Sequence, residues 1–465
     1  MSCYNTIREP RIEIEFKPSS QATAHGGQLS IAALAREFGL WERVRAERAL
    51  DLRGDRRRGY DPAVYVAGFL FSFASGGFAI AHVEELNADE ALKELLGARR
   101  FPDQSSLGEW LRGLGRGGVE ALRRINRDFA AWCLSRAEAG RVRYLGEVEV
   151  FFDDTQLEVD GKCFEGAAVN YNGDLALGWQ TLWVGPFLAG GELGRPPRDI
   201  DGGGQAGGDV SALLPRMLQD NCRLWEKDAA YLYADSGSSA GKYLAAIRRH
   251  FARWSVSYNK WTSGLERAAG ELPESSWSEP ETLRRRDGQD HHAQYNFLRY
   301  QPEGCSQAQL FAVRRHRLAA GELFWRHEFV ACEEKPDGAL PKRVFERHAL
   351  KGDKERAFSE LLSDMDLHHP PCQSLSANNA FYLLAALAYN FLQGLKVLHL
   401  PESEQPKRVR TLVRSLLLIP VQMKRHARRL KACFFAPAGW TRWWQELLSR
   451  LLPNIRMAAA CADTG

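Results

Sequence analysis

Three acidic residues lie at element boundaries where their carboxylates could act together on a phosphodiester. Asp153 falls in FFDDTQLEV and Asp235 in YLYADSGSS, both in strand-like runs, and Glu355 falls in the helix-like run RHALKGDKERAFSELL. Phosphoryl transfer assisted by two metal ions needs carboxylates that converge from separate elements. Mg²⁺ prefers a few hard oxygen ligands and keeps its other positions for water and phosphate. The trio therefore predicts a catalytic site with two Mg²⁺ ions, for which Mn²⁺ could substitute.

Asp154 competes with Asp153 for the first of these roles. Apolar residues fall on both faces of the strand, for example Phe151 on one and Phe152 on the other. Period-two alternation therefore does not decide which aspartate faces the site, and Asp154 stays as the alternate ligand.

Basic residues surround the third carboxylate. His348, Lys351 and Glu355 follow one another at i, i+3 and i+7, so a helix would place them on one face. A basic residue one turn before the carboxylate can hold a phosphate. With Lys354 and Arg356 beside them, His348 and Lys351 make up the predicted DNA-binding residues.

The elements that must position these residues follow a recognisable order. Three strands are expected between about 147 and 189, with hairpin signals at Asp160-Gly161 and Asn172-Gly173. A Gly-rich loop, the helix DVSALLPRMLQDNCRLW, the fourth strand AAYLYADS and the helix SAGKYLAAIRRHF come next. This order is the RNase H-like pattern, in which the first and fourth strands lie side by side. Asp153 and Asp235 are thus expected to meet in space.

The predicted fold class is α/β, with an RNase H-like mixed-sheet catalytic core, a β-rich insertion and helical regions at both ends. The predicted domains are a helical N-terminal DNA-binding region (1–145), the first part of the core (146–252), the β-rich insertion (253–345), the last part of the core with the catalytic helix (346–398) and a C-terminal basic helical region (399–465).

Composition and charge limit the class of protein. An apolar fraction of 45% and a charged fraction of 26% are typical of a folded soluble protein. The net charge of +4 is mild, but basic residues cluster at 53–58, 284–286 and 407–431, as suits a phosphate backbone. The 9 Cys include no CxxC pair, which favours a reduced cytoplasmic compartment. The apolar run Phe381–Leu392 is too short to span a membrane and predicts a buried helix.

With these residues placed, the chain resembles bacterial insertion-sequence transposases of the DDE class, in the subgroup with a strand-rich insertion before the final Glu. The segment DDTQLEVDGKCFEGAAVNYNGDLALGWQTL resembles the first catalytic block, where the family has Asp, any residue, Thr, and then Glu-Gly-Ala-Ala. That resemblance assigns the catalytic role to Asp153. YADSGSS matches the second block, Asp-Ser-Gly, through Asp235.

The third block departs from the family pattern. The family has Tyr, two residues, Arg, three residues, Glu, six residues and Lys, and these places here hold His348, Lys351, Glu355 and Leu362. Glu355 alone is identical, and Lys351 keeps the charge of the Arg without its bidentate geometry.

The resemblance implies Mg²⁺-dependent cutting at transposon ends and strand transfer into target DNA. It further implies that the N-terminal helices recognise the terminal inverted repeats and that two protomers hold two ends in a synaptic complex. Such a protein is bacterial and cytoplasmic, and is associated with the nucleoid when bound to DNA. Two alternatives share the same residues: an RNase H-like nuclease without strand transfer, and a domesticated transposase-derived DNA-binding protein.

Overall fold

In the computed structural model of the protein, the described residues are 19–161, 163–170, 172–196, 212–258, 264–284, 288–302, 305–318, 321–333, 340–426, 429–436 and 438–453. Most of the predicted Gly-rich loop, and part of the basic cluster at 284–286, lie outside these ranges.

The described part of the chain before the central sheet is helical, apart from the short strand β1 (Ala22–Thr23). Its helices are α1 (Gln28–Phe38), α2 (Leu40–Ala46), α3 (Pro62–Ala74), α4 (Val83–Ala88), α5 (Glu90–Leu96), α6 (Gln104–Gly113), α7 (Gly115–Leu134) and α8 (Ala139–Val142). Local signals set their limits. Asp61, for example, caps α3 by accepting a hydrogen bond from the Ala63 N–H, and Pro62 occupies the first helical position.

The centre of the protein is a mixed sheet. Its first strands and the helices between them are β2 (Arg143–Tyr144), β3 (Glu147–Glu158), β4 (Ala168–Val169), β5 (Leu175–Val184), β6 (Phe187–Gly194), α9 (Leu214–Asn221), β7 (Ala230–Ala234), α10 (Gly241–His250) and β8 (Arg253–Tyr258). The order across the sheet is β6-β5-β3-β7-β8. β7 is parallel to both β3 and β8, while β5 is antiparallel to β3 and β6. This arrangement is consistent with an RNase H-like core, and it confirms that the first and fourth predicted strands are neighbours.

The predicted third strand is in fact two strands. Gly185 has a φ of +54°, a conformation that favours glycine, and Pro186 follows it. The chain therefore turns back here, and β6 pairs antiparallel with β5. The stretch between the two hairpin signals contributes only the two residues of β4.

Strands of the predicted insertion extend the same sheet. They follow α11 (Leu265–Gly270) and are β9 (Glu281–Arg284), β10 (Asp290–Tyr300), β11 (Gln309–Leu318) and β12 (Arg326–Cys332). β12 pairs antiparallel with β8, so the described strands from β2 to β12 form one sheet of 11. The first strand of this region, β8, is itself hydrogen-bonded to β7 of the core.

The remaining elements lead from the sheet back to the N-terminal helices. They are α12 (Pro341–Ala349), a 3₁₀ turn (Leu350–Gly352), α13 (Asp353–Ser359), a π-helical turn (Glu360–Asp364), α14 (Leu375–His399), α15 (Val409–Leu412), a second π-helical turn (Val413–Leu417), β13 (Val421–His426), β14 (Arg429–Phe434) and α16 (Ala438–Leu451).

Helix α14 joins the N-terminal helices to the sheet. Its residues share one apolar core with α3, α6 and α7 and with one face of the sheet. Asn390 and Asn379 each hydrogen-bond the backbone N–H and C=O of a residue in strand β6, at Leu188 and Leu193 respectively. These amides satisfy backbone groups at that side of the sheet. The helix is long and apolar enough to cross a membrane, but 94% of its most apolar window is buried in the protein, as predicted for a core helix.

The C-terminal region is not helical throughout, contrary to the prediction. Pro420 disfavours helical backbone at the residue before it, and β13 starts at Val421. Val421 and Met423 alternate with polar residues and pack on Ala91 of α5. β13 pairs with both β14 and β1 in a small separate sheet. The segment is thus a local hairpin to which β1, from the other end of the chain, adds a third strand.

Candidate active site

Asp153 and Asp235 lie side by side on adjacent strands. In the parallel pair β3 and β7, Phe152 is opposite Ala234. Asp153 follows Phe152 and Asp235 follows Ala234, so the two aspartates continue the two strands side by side. Asp153 continues in β3, while Asp235 leaves β7 and opens the 3₁₀ turn Ser236–Ser238. The sheet thus brings together two carboxylates that are far apart in sequence.

The Lys351 ammonium lies between these two carboxylates. Its Nζ atom is 3.6 Å from Oδ2 of Asp153 and 3.2 Å from Oδ2 of Asp235. The Asp235 side chain is 57% exposed, so water screens this ion pair more than the one with Asp153. Lys351 reaches the carboxylates from a 3₁₀ turn between two α-helices, and not from the single continuous helix that was predicted.

The two neighbouring aspartates differ in their contacts. Phe151 stacks on Tyr233 within the core that includes α14, whereas Phe152 belongs to the core on the other face. By strand alternation, Asp153 shares the face of Phe151, and it is Asp153 that lies within 4 Å of Lys351. Its carbonyl oxygen accepts a hydrogen bond from the Thr181 hydroxyl at 2.9 Å.

Burial dominates the electrostatics of the site. It raises the pKa of Asp153 despite the attraction of Lys351, and with repulsion from Asp153 and Asp235 it raises the pKa of Asp154 to about 7. Burial also acts to raise the pKa of Asp235, but Lys351 and the Ser236 N–H outweigh it and lower this pKa. For Lys351 burial acts to lower the pKa, and the two carboxylates outweigh it and raise the pKa. Two carboxyl groups, those of Asp153 and Asp235, thus share one ammonium, and the charges of both also affect the pKa of the neighbouring Asp154.

The donor set therefore fits a divalent cation. The carboxylate oxygens of Asp153 and Asp235 already converge on one positive charge, and they are the hard ligands that Mg²⁺ prefers. Among the described residues no cluster of three or more His, Cys, Asp or Glu side chains with a geometry that could hold a metal is found. The predicted third ligand, Glu355, lies in a stretch (353–355) whose side chains are not described.

A buried ion pair attaches α12 to the sheet just before Lys351. Nη2 of Arg347 is 2.8 Å from Oε2 of Glu147, and its Nε donates to the Tyr233 hydroxyl at 2.9 Å. The Tyr233 O–H in turn donates to Glu149 of β3. Arg253 contacts the other Glu147 oxygen at 2.7 Å. The Arg347 guanidinium therefore positions the helix against both strands that carry the aspartates.

His348 provides a second attachment. Its Nδ1 and Nε2 atoms are each 2.8 Å from a serine hydroxyl of β8, those of Ser255 and Ser257. Burial, aided by the charge of Lys351, lowers the pKa of His348 to about 4. The ring is thus neutral at pH 7 with both nitrogens engaged, an arrangement that fixes α12 on the sheet and leaves neither nitrogen for a phosphate.

Helix α13 holds the remaining predicted residues. The backbones of Lys354 and Glu355 lie in its first turn, after Lys351. Arg356 is exposed, donates to the Pro406 carbonyl at 2.6 Å and is 3.6 Å from a Glu360 oxygen. Further along, the Phe358 ring packs edge-on against Trp183 and Trp179, which anchors the helix on the face of Asp153.

The residues that attach α12 to the sheet were not predicted from the sequence. Glu147 gave a signal, since a charged residue inside a buried strand requires a partner. Ser255 and Ser257 gave another, because alternate strand positions share a face and both serines could therefore meet one side chain. Nothing in the sequence identified Arg347 and His348 as the partners, because these pairings are long-range.

A family model described as transposase DDE domain group 1 matches residues 4–456, nearly the whole chain. The chain belongs to this transposase family. A search of curated proteins finds no match. The resemblance inferred from the two aspartate blocks is thereby confirmed. Membership implies that the transposase is an enzyme acting on DNA, in a family that generally uses divalent metals.

Proposed function

We propose that this transposase cuts DNA at the ends of a transposon and joins the freed ends to target DNA, using two divalent ions held by Asp153, Asp235 and Glu355. The strongest support is that Asp153 and Asp235, on adjacent parallel strands, both point at the Lys351 ammonium. Asp154 is the alternate ligand, with a carboxyl one residue away and the same excess of negative charge around it.

The residues of the chain would divide the work as follows. Mg²⁺ or Mn²⁺ at this site would supply Lewis-acid activation of the attacking hydroxyl and stabilisation of the leaving oxygen. Lys351, at the centre of the site, would bring a positive charge to the phosphate under attack. Arg347 and His348 would fix α12 on the sheet, and with it the start of the turn that carries Lys351 and leads to α13 and Glu355.

Around the site we assign DNA contacts to Lys354 and Arg356, which follow Lys351 on the same helical segment. The N-terminal helical region would recognise the terminal inverted repeats, and two protomers would hold two ends in a synaptic complex. We place this activity in the bacterial cytoplasm, at the nucleoid when the protein is bound to DNA.

Single substitutions test the assignment. Asp153→Asn, Asp235→Asn and Glu355→Gln are expected to abolish Mg²⁺-dependent cleavage of a transposon-end duplex while gel-shift binding of that duplex persists. Since burial already disfavours the charge on Asp153, its Asn variant should fold as stably as the wild type. Asp160→Asn, at an exposed acid just beyond β3, is the matched control and should cut normally. Undiminished cleavage by Glu355→Gln would remove that residue from the site.

Two further assays separate the alternatives. Joining of a pre-cut end to plasmid DNA distinguishes a transposase that completes strand transfer from a nuclease that only cuts. A wild-type protein that binds transposon ends and never cuts them in Mg²⁺ or Mn²⁺ would favour a domesticated DNA-binding protein. Short inverted repeats bracketed by a direct duplication in the flanking DNA would support the transposon origin.

A further inference from the structure

A chain of hydrogen bonds leads from the interior of the protein to the Asp153 carboxylate. It starts at the Trp183 indole N–H, which donates to the Thr181 hydroxyl at 3.0 Å. That hydroxyl donates to the Asp153 carbonyl at 2.9 Å, and the N–H of Asp154 donates to Oδ1 of Asp153 at 3.0 Å. Trp183 and Thr181 are both fully buried. The chain therefore connects two core residues of β5 to one oxygen of a proposed metal ligand.

The donors along this chain all point in one direction. An indole N–H can only donate, so the Thr181 oxygen accepts from Trp183. The hydroxyl proton is then left for the Asp153 carbonyl, which can only accept. The carbonyl and the N–H of one peptide are conjugated, so a C=O that accepts a hydrogen bond makes the N–H a stronger donor. Each bond thus strengthens the next, and the last one ends on the carboxylate.

The last bond of the chain exists because strand β7 ends early. Asp153 lies directly opposite Thr181 of β5, and its carbonyl points to that strand. In a trans peptide the C=O and the following N–H point in opposite directions, so the N–H of Asp154 points towards the β7 side. The pairing of β3 with β7 stops at Phe152 and Ala234. The Asp153 carboxylate thus serves this N–H in place of a strand partner.

The two oxygens of the Asp153 carboxylate have separate partners. Oδ1 accepts from the N–H of Asp154, whereas Oδ2 is 3.6 Å from Nζ of Lys351. An aspartate side chain turns about two bonds, and a hydrogen bond to one oxygen restricts both of them. Oδ2 is thereby directed at the point where the Lys351 ammonium also meets the Asp235 carboxylate.

The Trp183 ring also contacts the helix that carries the proposed third ligand. Trp179 and Trp183 flank Thr181 at alternate positions of β5, so all three share one face of the sheet. The Phe358 ring of α13 packs edge-on against both indoles, with centroid distances of 6.5 Å and 5.7 Å. Phe358 comes about one helical turn after Glu355. One indole thus serves both the aspartate and the helix of the third ligand.

We infer that Thr181 and Trp183 are positioning residues for the Asp153 carboxylate: their hydrogen bonds direct Oδ2 into the cation site, and the Trp183 ring holds α13 beside it. The inference rests on the proposed function in that Asp153 is taken as a metal ligand. Both residues are fully buried, so they act through Asp153 and not on the substrate.

Three substitutions separate the hydrogen bonds from the packing. Thr181→Val keeps the shape and removes the hydroxyl, Thr181→Ser keeps the hydroxyl, and Trp183→Phe keeps an aromatic ring and removes the N–H. Trp225→Phe is the matched control, because Trp225 is a buried tryptophan in the core on the other face of the sheet. Its indole N–H also bonds a carbonyl, that of His250. Thermal melting of each variant checks that it is folded.

Mn²⁺ binding to the DNA-free protein, followed by titration calorimetry, gives the first readout. Loss of a hydrogen bond that orients a metal ligand weakens metal binding roughly 10- to 100-fold. We expect about 10-fold in Thr181→Val, because the pairing of β3 with β5 still holds the Asp153 backbone. Trp183→Phe should also bind more weakly, while Thr181→Ser and Trp225→Phe should bind as wild type does. Wild-type affinity in Thr181→Val, or equal losses in Thr181→Val and Thr181→Ser, would overturn the inference.

A double-mutant cycle without metal or DNA gives the second readout. Residues that share no partner usually combine additively, to within about twofold in the unfolding equilibrium constant. Thr181 and Lys351 both contact Asp153, so in urea unfolding Thr181→Val and Lys351→Met should depart from additivity by more than that. Trp225→Phe and Lys351→Met should be additive. Additivity in both cycles would overturn the inference.

The two readouts separate this inference from the proposed function. A wild-type protein that binds no Mn²⁺ and never cuts transposon ends would refute the proposed function, and the metal-free cycle would then decide the inference alone. In a protein that cuts, Thr181→Val should lower kcat and leave the KM for DNA unchanged, because the hydroxyl is buried and does not contact DNA. A higher KM with an unchanged kcat would contradict the positioning role.

Discussion

The ion pair between Arg347 and Glu147 fixes α12, which leads directly into the turn of Lys351, and the cost of losing this ion pair follows from its geometry. In Arg347→Met the Glu147 carboxylate, 5% exposed, keeps Arg253 as its only cationic partner in the described part of the chain, and the Tyr233 hydroxyl loses a donor. Removing one partner of a buried pair costs about 3–5 kcal/mol. Since Arg253 still contacts Glu147 at 2.7 Å, we expect the lower end of that range, about 3 kcal/mol.

A double-mutant cycle with Glu147→Gln isolates the pair from the packing of the arginine stem. Urea unfolding of the two single variants and the double variant should give a coupling energy of about 1–3 kcal/mol. Lys342→Met is the matched control on the same helix. Its ion pair with Glu281 is 43% and 33% exposed for the two side chains, so its loss should cost at most about 1 kcal/mol.

The same variant should affect chemistry more than binding. Lys351 follows Arg347 by about one helical turn, so a loosened α12 would displace the ammonium from the aspartates. We expect Arg347→Met, at a temperature where it is folded, to lose more Mg²⁺-dependent cleavage than DNA affinity. A coupling energy below about 0.5 kcal/mol, or equal stability losses in Arg347→Met and Lys342→Met, would refute the reasoning.

Charges around Lys351 set three further expectations. Lys351→Met removes the cation between Asp153 and Asp235. Titration calorimetry without DNA should therefore show Mn²⁺ binding roughly 5- to 30-fold more tightly than to wild type, which is about 1–2 kcal/mol of binding free energy. Weaker binding would contradict this arrangement. Asp154 has a pKa of about 7 when folded against an ordinary 3.8, so its ionisation destabilises the fold as pH rises. In urea unfolding, the free energy of unfolding of Asp154→Asn should exceed that of wild type by at most about 4 kcal/mol at pH 8, and this difference should vanish below pH 4. An equal difference at both pH values would contradict the burial of Asp154. Folded His348 stays neutral down to about pH 4, while the unfolded residue takes up a proton below pH 6.5, so the fold loses stability across that interval. Between pH 7.5 and pH 5, the free energy of unfolding should therefore fall by about 2 kcal/mol less in His348→Gln than in wild type. The same pH dependence in both proteins would contradict a buried neutral ring.

Element order predicted the part of the fold that matters most for the site. The strand-strand-strand-helix-strand-helix pattern was sufficient to place Asp153 beside Asp235, because a parallel pairing of the first and fourth strands follows from it. Lys351 also contacts these carboxylates, although it does so from a 3₁₀ turn and not from the predicted helix. Local sequence was adequate here because each step depends on an element type and its order along the chain.

Long-range pairing explains what sequence analysis missed. β13 and β14 pair with each other locally, but β13 also pairs with β1 and packs on α5, and these contacts with the other end of the chain are not visible in its run of basic residues. The extension of the core sheet depends on the pairing of Phe329 with Tyr258, which no turn signal reveals. Asp153 and Asp154 could not be separated because both faces of β3 are buried in apolar cores.

The position of α14 has a consequence for the order in which the protein is made. The N-terminal helices pack on this helix, and β6 receives hydrogen bonds from its asparagines, yet it begins only at Leu375. At 5–20 residues per second, ribosomes complete α14 roughly 10–50 s after α7. During that interval the proposed DNA-recognition helices lack the helix that completes their core. A prematurely terminated transposase is therefore expected to be degraded, so it would not compete with full-length protein for transposon ends.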